Sequence, residues 1–118
     1  IIMSINKVAV IGSGVMGSGI AAQITNAGVP VVFLDIKPAD GTNLAANAVE
    51  KMLKADPAPF MRKSNAKLIT PGNLEDDLEL LKDCDWIIEV VLEDIKVKHA
   101  TYEKINKYRK KGSIVSSN

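Results

Sequence analysis

"VAVIGSGVMGSGIAAQITNAG", residues 8–28, decides how the rest of the chain is read. Lys7-Val8-Ala9-Val10-Ile11 is a continuous apolar run, the pattern of a strand buried on both faces of a parallel sheet. Val15 to Ala27 carries Met16, Ile20, Ile24 and Ala27 at helical spacing, which predicts a helix. Gly28 supplies a left-handed cap for it and Pro30 prevents its continuation. Val31-Val32-Phe33-Leu34 is a second buried strand, closed by Asp35. The result is one β-α-β unit.

Gly12, Gly14 and Gly17 stand where the strand becomes the helix, although glycine weakens both elements. Gly12 permits the tight turn, Gly14 lets backbone approach a pyrophosphate, and Gly17 lets the helix pack closely on the sheet. The helix N-terminus then offers its positive dipole to phosphate. Asp35 follows Gly17 by 18 residues and completes a dinucleotide-binding fingerprint. Its carboxylate would accept hydrogen bonds from the adenosine ribose and repel a 2′-phosphate, so NAD is expected over NADP. Lys37 lies close enough to soften that repulsion. The plain alternative is a glycine turn that only packs, with Asp35 a turn residue before Pro38.

Outward from this unit, Thr42 to Ala55 is amphipathic, with Leu44, Ala45, Ala48, Val49, Met52 and Leu53 on one face. Asp56-Pro57-Ala58-Pro59 stops it. Phe60 to Lys67 is ambiguous, with one or two helical turns expected. Leu68-Ile69-Thr70 reads as a short strand before a turn at Pro71-Gly72-Asn73, and Leu74 to Leu81 as a short helix or turn. Trp86 to Val91, "WIIEVV", is a third strong strand. Asp94 to Lys111 reads as a long helix with Ile95, His99, Tyr102 and Ile105 inward, an acidic first turn and a Gly112 cap. Ser113-Ile114-Val115-Ser116 starts another strand. Strands alternating with helices predict an α/β fold, a Rossmann-type doubly wound parallel sheet, here expected to stop before its last strands.

Composition sets the outer bounds. The 118 residues suit one domain, and 47% hydrophobic residues suffice for a core. A net charge of +1 argues against a dedicated nucleic-acid binder. No apolar run reaches the roughly 18 residues of a membrane span. The single cysteine, Cys84, excludes an internal disulfide and fits a reducing, cytoplasmic setting. Its acidic neighbours Asp83 and Asp85 would raise its pKa and leave it inert. Glu89 interrupts the "WIIEVV" strand and needs a partner, either neighbouring backbone or a cofactor-side group. His99 is expected to pack against the sheet rather than act as a base. Arg109-Lys110-Lys111 reads as a helix C-terminus complementing its dipole.

With "VAVIGSGVMGSGIAAQITNAGVPVVFLDI", "DWIIEVVLEDIKVKHATYEKI" and the terminal "GSIVSSN" in view, the chain resembles the NAD-binding domain of L-3-hydroxyacyl-CoA dehydrogenases. The stretch "ITPGNLEDDLELLKDCDW" is similar to long bacterial members. The resemblance implies that Gly12, Gly14, Val15, Met16 and Gly17 form the pyrophosphate turn and that Asp35 is the adenosine-ribose acid. It implies that backbone at Val90 and Val91 runs along the cofactor, that Glu93 and Lys98 contact its nicotinamide half, and that Asn118 lies near the nicotinamide. It further implies NAD as cofactor, an acyl-CoA substrate, a possible homodimer, and a catalytic His–Glu pair and helical domain downstream of residue 118. Residues 1–118 would then be an incomplete Rossmann domain without catalytic residues of its own. Lys51, Lys54, Arg62 and Lys63 are candidates for contacts to coenzyme A, against a solvated basic face. A non-catalytic NAD-binding regulatory module and another Rossmann-type hydroxyacid dehydrogenase are the competing readings.

Overall fold

In a computed structural model of the chain, residues 5–55, 63–90 and 95–117 are described. Strand β1 (Val8–Ile11) leads into helix α1 (Val15–Asn26), and β2 (Val31–Asp35) into α2 (Leu44–Lys54). A 3₁₀ turn at Lys63–Leu68 precedes β3 (Ile69–Asn73), and another at Leu78–Asp83 precedes β4 (Trp86–Glu89). Helix α3 (Ile95–Tyr108) and β5 (Ile114–Ser117) follow. The five strands form one sheet in the order β3-β2-β1-β4-β5, every pairing parallel. This is the expected Rossmann-type arrangement.

The alternation of side chains along a strand splits the core in two. Val8, Val10, Val31, Phe33, Ile69 and Ile88 face one side, where α1 and α2 contribute Ala21, Ala22, Ala45 and Met52. Ala9, Ile11, Val32, Leu34 and Ile87 face the other, against Leu78, Leu81 and Ile105. Strands β1 and β2 are buried on both faces, which is why they read as unbroken apolar runs. Asn43 caps α2, its side chain accepting from the Ala46 amide at 2.9 Å. Among the described residues no helix is long and apolar enough to cross a membrane.

Several local expectations need correction. Pro71, Gly72 and Asn73 are not a turn; they pair with Phe33, Leu34 and Asp35 as the last three residues of β3. Strand β3 is at the sheet edge, the place where a proline without an amide proton is tolerated. The buried face of α1 carries Gly17, Ala21, Ala22 and Thr25, while Met16 and Ala27 are exposed and Ile20 and Ile24 pack at its margin. Small residues hold this helix close to the sheet, with Gly17 among them as expected. Among the described side chains of α3 the inward ones are Thr101 and Ile105, with Tyr102 and Tyr108 beside them; His99 is exposed, and the Ile95 side chain lies outside the described residues. At 100° per residue His99 stands about 120° round the helix from Ile105. The helix ends at Tyr108, so Gly112 (φ 85°) serves the turn into β5 rather than the helix cap. Strand β4 ends at Glu89; Val91, the proline-containing stop at residues 56–59 and the acidic pair Glu93-Asp94 lie outside the described residues.

Phe33→Ala should destabilise the protein by about 3–5 kcal/mol, since the ring is fully buried in a central strand. Urea unfolding followed by the fluorescence of Trp86, whose indole N–H donates to Ser116 Oγ at 2.9 Å across β4 and β5, measures it. Val15→Ala, at a side chain left in solvent, should change stability little in the same assay.

Candidate functional site

Because all five strands are parallel, their C-terminal ends share one edge of the sheet. The chain lays β2 and β3 to one side of β1 and β4 and β5 to the other, so the strand order reverses between β1 and β4. In open α/β sheets that reversal opens the crevice in which ligands bind. Here the strand ends are stitched together at that point. The Val90 amide donates to the Ile11 carbonyl at 2.8 Å, and the Gly12 amide to the Leu34 carbonyl at 2.8 Å.

The glycine turn begins immediately beyond. Gly12 adopts φ 112°, a conformation that side chains rarely allow. A Cβ on Gly17 would lie 1.9 Å from the Gly12 carbonyl oxygen, so only glycine fits where α1 crosses the turn. Gly14 is the N-cap of α1 with an ordinary φ of −67°. A Cβ there would meet nothing within 4 Å, so the glycine leaves open space at the helix start that the fold itself does not use. The Ser18 hydroxyl donates to the Ser13 carbonyl at 3.1 Å and closes the turn. Val15 and Met16, 94% and 58% exposed, line the open side. The open helix start and the space at Gly14 fit a pyrophosphate.

Asp35 reaches this turn from the end of β2. Ser13 donates to its Oδ2 with both its amide, at 2.8 Å, and its hydroxyl. The Ile36 amide donates to Oδ1 at 2.7 Å. Lys37, two residues on, pairs with Asp76 at 2.9 Å, and each holds the other in its charged form. Sequence reasoning had noted Lys37 but missed both Ser13 as the partner of Asp35 and Asp76 as the partner of Lys37. A polar residue between the two glycines was the available sign of the first contact.

The other singled-out residues are distributed as follows. Val90 sits at the reversal of strand order. Val91, Glu93 and Asn118 lie outside the described residues, and Lys98 is on α3 with its side chain outside them. Glu89 is fully buried at the end of β4 and engaged within the protein. Of the basic candidates, Lys51 lines a crevice of about 460 Å³ between the start of α1 and α2, bounded also by Gly14, Ser18, Gly19, Ala48 and Met52. Lys54 is exposed at the end of α2, and Arg62 and the Lys63 side chain fall outside the described residues. Arg109 donates to the Ser113 carbonyl at 2.9 Å and Lys110 pairs with Asp85, so both tie α3 to the sheet. Burial first, and then Asp83 and Asp85, push the Cys84 thiol up to about 11.

A glycine turn at the reversal of strand order, an open helix start and an acidic residue ending β2 define a dinucleotide-binding Rossmann domain. Comparison with known proteins narrows this class. Residues 7–118 match the family model described as 3-hydroxyacyl-CoA dehydrogenase, NAD binding domain. A protein of Deinococcus radiodurans named as a probable 3-hydroxyacyl-CoA dehydrogenase is 54% identical over 98% of this chain and 34% of its own length. A Rickettsia felis protein, whose name marks it as a candidate trifunctional enzyme of a fatty acid oxidation complex, is 50% identical over 97% of this chain and 16% of its own. The crystal structure of (S)-3-hydroxybutyryl-CoA dehydrogenase from Ralstonia eutropha superposes with a TM-score of 0.69 at 28% identity, covering 98% of this chain and 41% of that one. The chain belongs to the 3-hydroxyacyl-CoA dehydrogenase family, as its NAD-binding domain, and spans about a third or less of the length of these curated relatives.

Gly14→Val should unfold within about 1 kcal/mol of the parent, because its space is empty and only the N-cap preference is lost. The same variant should lose NAD binding in calorimetry, its isopropyl group standing where phosphate would lie. Gly17→Ala should instead lower the melting temperature, since its Cβ collides with backbone. Cys84 should resist a thiol reagent at pH 8 in the folded protein and react once the protein is unfolded in urea.

Proposed function

We propose that this chain is the cofactor-binding part of a longer NAD-dependent enzyme that oxidises L-3-hydroxyacyl-CoA to 3-oxoacyl-CoA in fatty-acid β-oxidation. The observation that carries the reading is the clasp between Asp35 and Ser13, which sets a carboxylate beside the glycine turn of a chain in this family. Residues 1–118 then act as the NAD-binding domain, and the helical domain and acid–base pair belong to the rest of the protein. The names of the relatives support the acyl-CoA substrate and the pathway. The same reading makes the whole protein a cytoplasmic enzyme acting as a homodimer. A buried, unpaired cysteine suits a reducing compartment.

In this reading Gly12, Gly14, Val15, Met16 and Gly17 hold the pyrophosphate at the start of α1, and Asp35 accepts the ribose hydroxyls. Val90 and Val91 pass along the cofactor, while Glu93, Lys98 and Asn118 meet its nicotinamide half. NAD bound there would supply a hydride acceptor for C3 of the substrate. The hydroxyl proton goes to a base as the C3 carbonyl forms. His99, the one histidine of this chain, is exposed on α3 and takes no part, so the base is assigned to the downstream His–Glu pair of the family.

The test is NADH formation by the full-length protein with a 3-hydroxyacyl-CoA. Activity that survives His99→Ala supports the reading. Tight NAD binding with no NADH formation would overturn it in favour of a regulatory NAD-binding module. Asp35→Ala should weaken NAD by about tenfold or more, as loss of hydrogen bonds to a charged group does. It should also narrow the preference over NADP, because the charge facing a 2′-phosphate is gone. A preference left unchanged in titration calorimetry would remove Asp35 from the ribose site.

A further inference from the structure

Asp35 alone is an incomplete account of cofactor choice, because a cation stands two residues away. Lys37 lies just past the end of β2, which closes with Asp35. A free lysine there would offset the repulsion between Asp35 and a 2′-phosphate. Lys37 is not free: its Nζ lies 2.9 Å from Asp76 Oδ2. Asp76 is itself held. The Asn73 side chain accepts from the Asp76 amide at 2.7 Å and from the Glu75 amide at 2.9 Å, and it donates to Asp76 Oδ2 at 3.1 Å. Asn73 is the register partner of Asp35 on β3, and the next amide, that of Leu74, donates to the Asp35 carbonyl at 2.9 Å. The loop that carries Asp76 is therefore fastened to the residue that meets the ribose.

We propose that the Lys37–Asp76 ion pair, positioned by Asn73, is a second determinant of NAD over NADP, acting by keeping Lys37 from a 2′-phosphate. The pair engages Lys37, and Glu75 and Asp77 add negative charge around it; all three carboxylates favour the charged lysine. A 2′-phosphate would have to compete with Asp76 for Lys37 and approach Asp35 and Asp76 together. Stability gives the pair no other role of consequence. Both side chains are well exposed, and exposed pairs contribute little to folding. The inference rests on the reading of Asp35 as the ribose acid.

The experiment compares NAD and NADP binding to the full-length protein by calorimetry in Asp76→Asn, Lys37→Ala and the double variant. Asp76→Asn should leave NAD affinity within about twofold and raise NADP affinity by about threefold to tenfold, the scale of a released surface charge pairing with phosphate. The gain should vanish in the double variant, since it runs through Lys37. Lys37→Ala alone should change NADP affinity by less than about twofold, because Asp76 already occupies that lysine. Unchanged NADP affinity in Asp76→Asn, a gain that persists without Lys37, or a large loss of NADP affinity in Lys37→Ala overturns the inference while NAD binding by the parent protein stands. A parent protein that binds neither nucleotide overturns the cofactor site itself, and this inference with it.

Discussion

Nothing larger than a hydrogen fits between Gly17 and the Gly12 carbonyl, and the site depends on that contact. It lets α1 start directly over the end of β1, which fixes Gly14 as its N-cap. The register of β1 and β2 does the rest. Ile11 pairs with Leu34, so Asp35 comes level with the start of the glycine turn and its side chain reaches Ser13. A one-residue slip of this pairing would turn every side chain of β2 to the opposite face of the sheet. The two apolar faces of β2 fix the register, and the register delivers the carboxylate.

The edge of the sheet separates charge by position. The start of α1 presents the positive end of a helix dipole, and the end of β2 brings the Asp35 side chain against Ser13, just before that helix. A dinucleotide carries both complements: an anionic pyrophosphate for the first and uncharged hydroxyl donors for the second. Asp35 already accepts from the Ser13 amide, the Ser13 hydroxyl and the Ile36 amide. A carboxylate offers about four acceptor positions, so these three donors leave one open, and a ligand presenting two hydroxyls would have to displace one donor. The Ser13 hydroxyl is the donor that can turn away by a single bond rotation, whereas the two amides are fixed by the backbone. The clasp thus orients the carboxylate without exhausting it.

The parts of this architecture set by neighbours in sequence were legible from sequence alone. The β-α-β unit, its glycines and Asp35 follow from periodicity and spacing, and the family resemblance rested on that unit together with "DWIIEVVLEDIKVKHATYEKI" and "GSIVSSN". What depended on distant pairing was not legible. Pro71-Gly72-Asn73 looks like a turn until β2 is known to pair with it on one side only. The Lys37–Asp76 pair needs the same register, which brings Asn73 beside Asp35. His99 was misplaced because its spacing to Tyr102 fits a helix face, but Thr101 and Ile105 form the inner one. The inner face of α1 was legible only at Gly17, because its contact with the sheet is made by side chains too small to register as apolar signal.

That smallness shapes the site as much as the fold. Glycines inside a helix cost about 1 kcal/mol each relative to alanine, and α1 contains two, Gly17 and Gly19. Packing has to supply what propensity lacks, and the sheet-facing row of Gly17, Ala21 and Thr25 supplies it by close approach. A second row, Gly14 and Ser18 with Gly19 beside them, looks toward α2, where Ala48 and Ala55 are equally short. Side chains of this size cannot meet across the gap, so the crevice stays open beside the glycine turn, with Met52 at its base and Lys51 on its wall. A helix slender on two faces can touch the sheet and still leave room for a ligand at its own N-terminus; bulk on either face would forfeit one of the two.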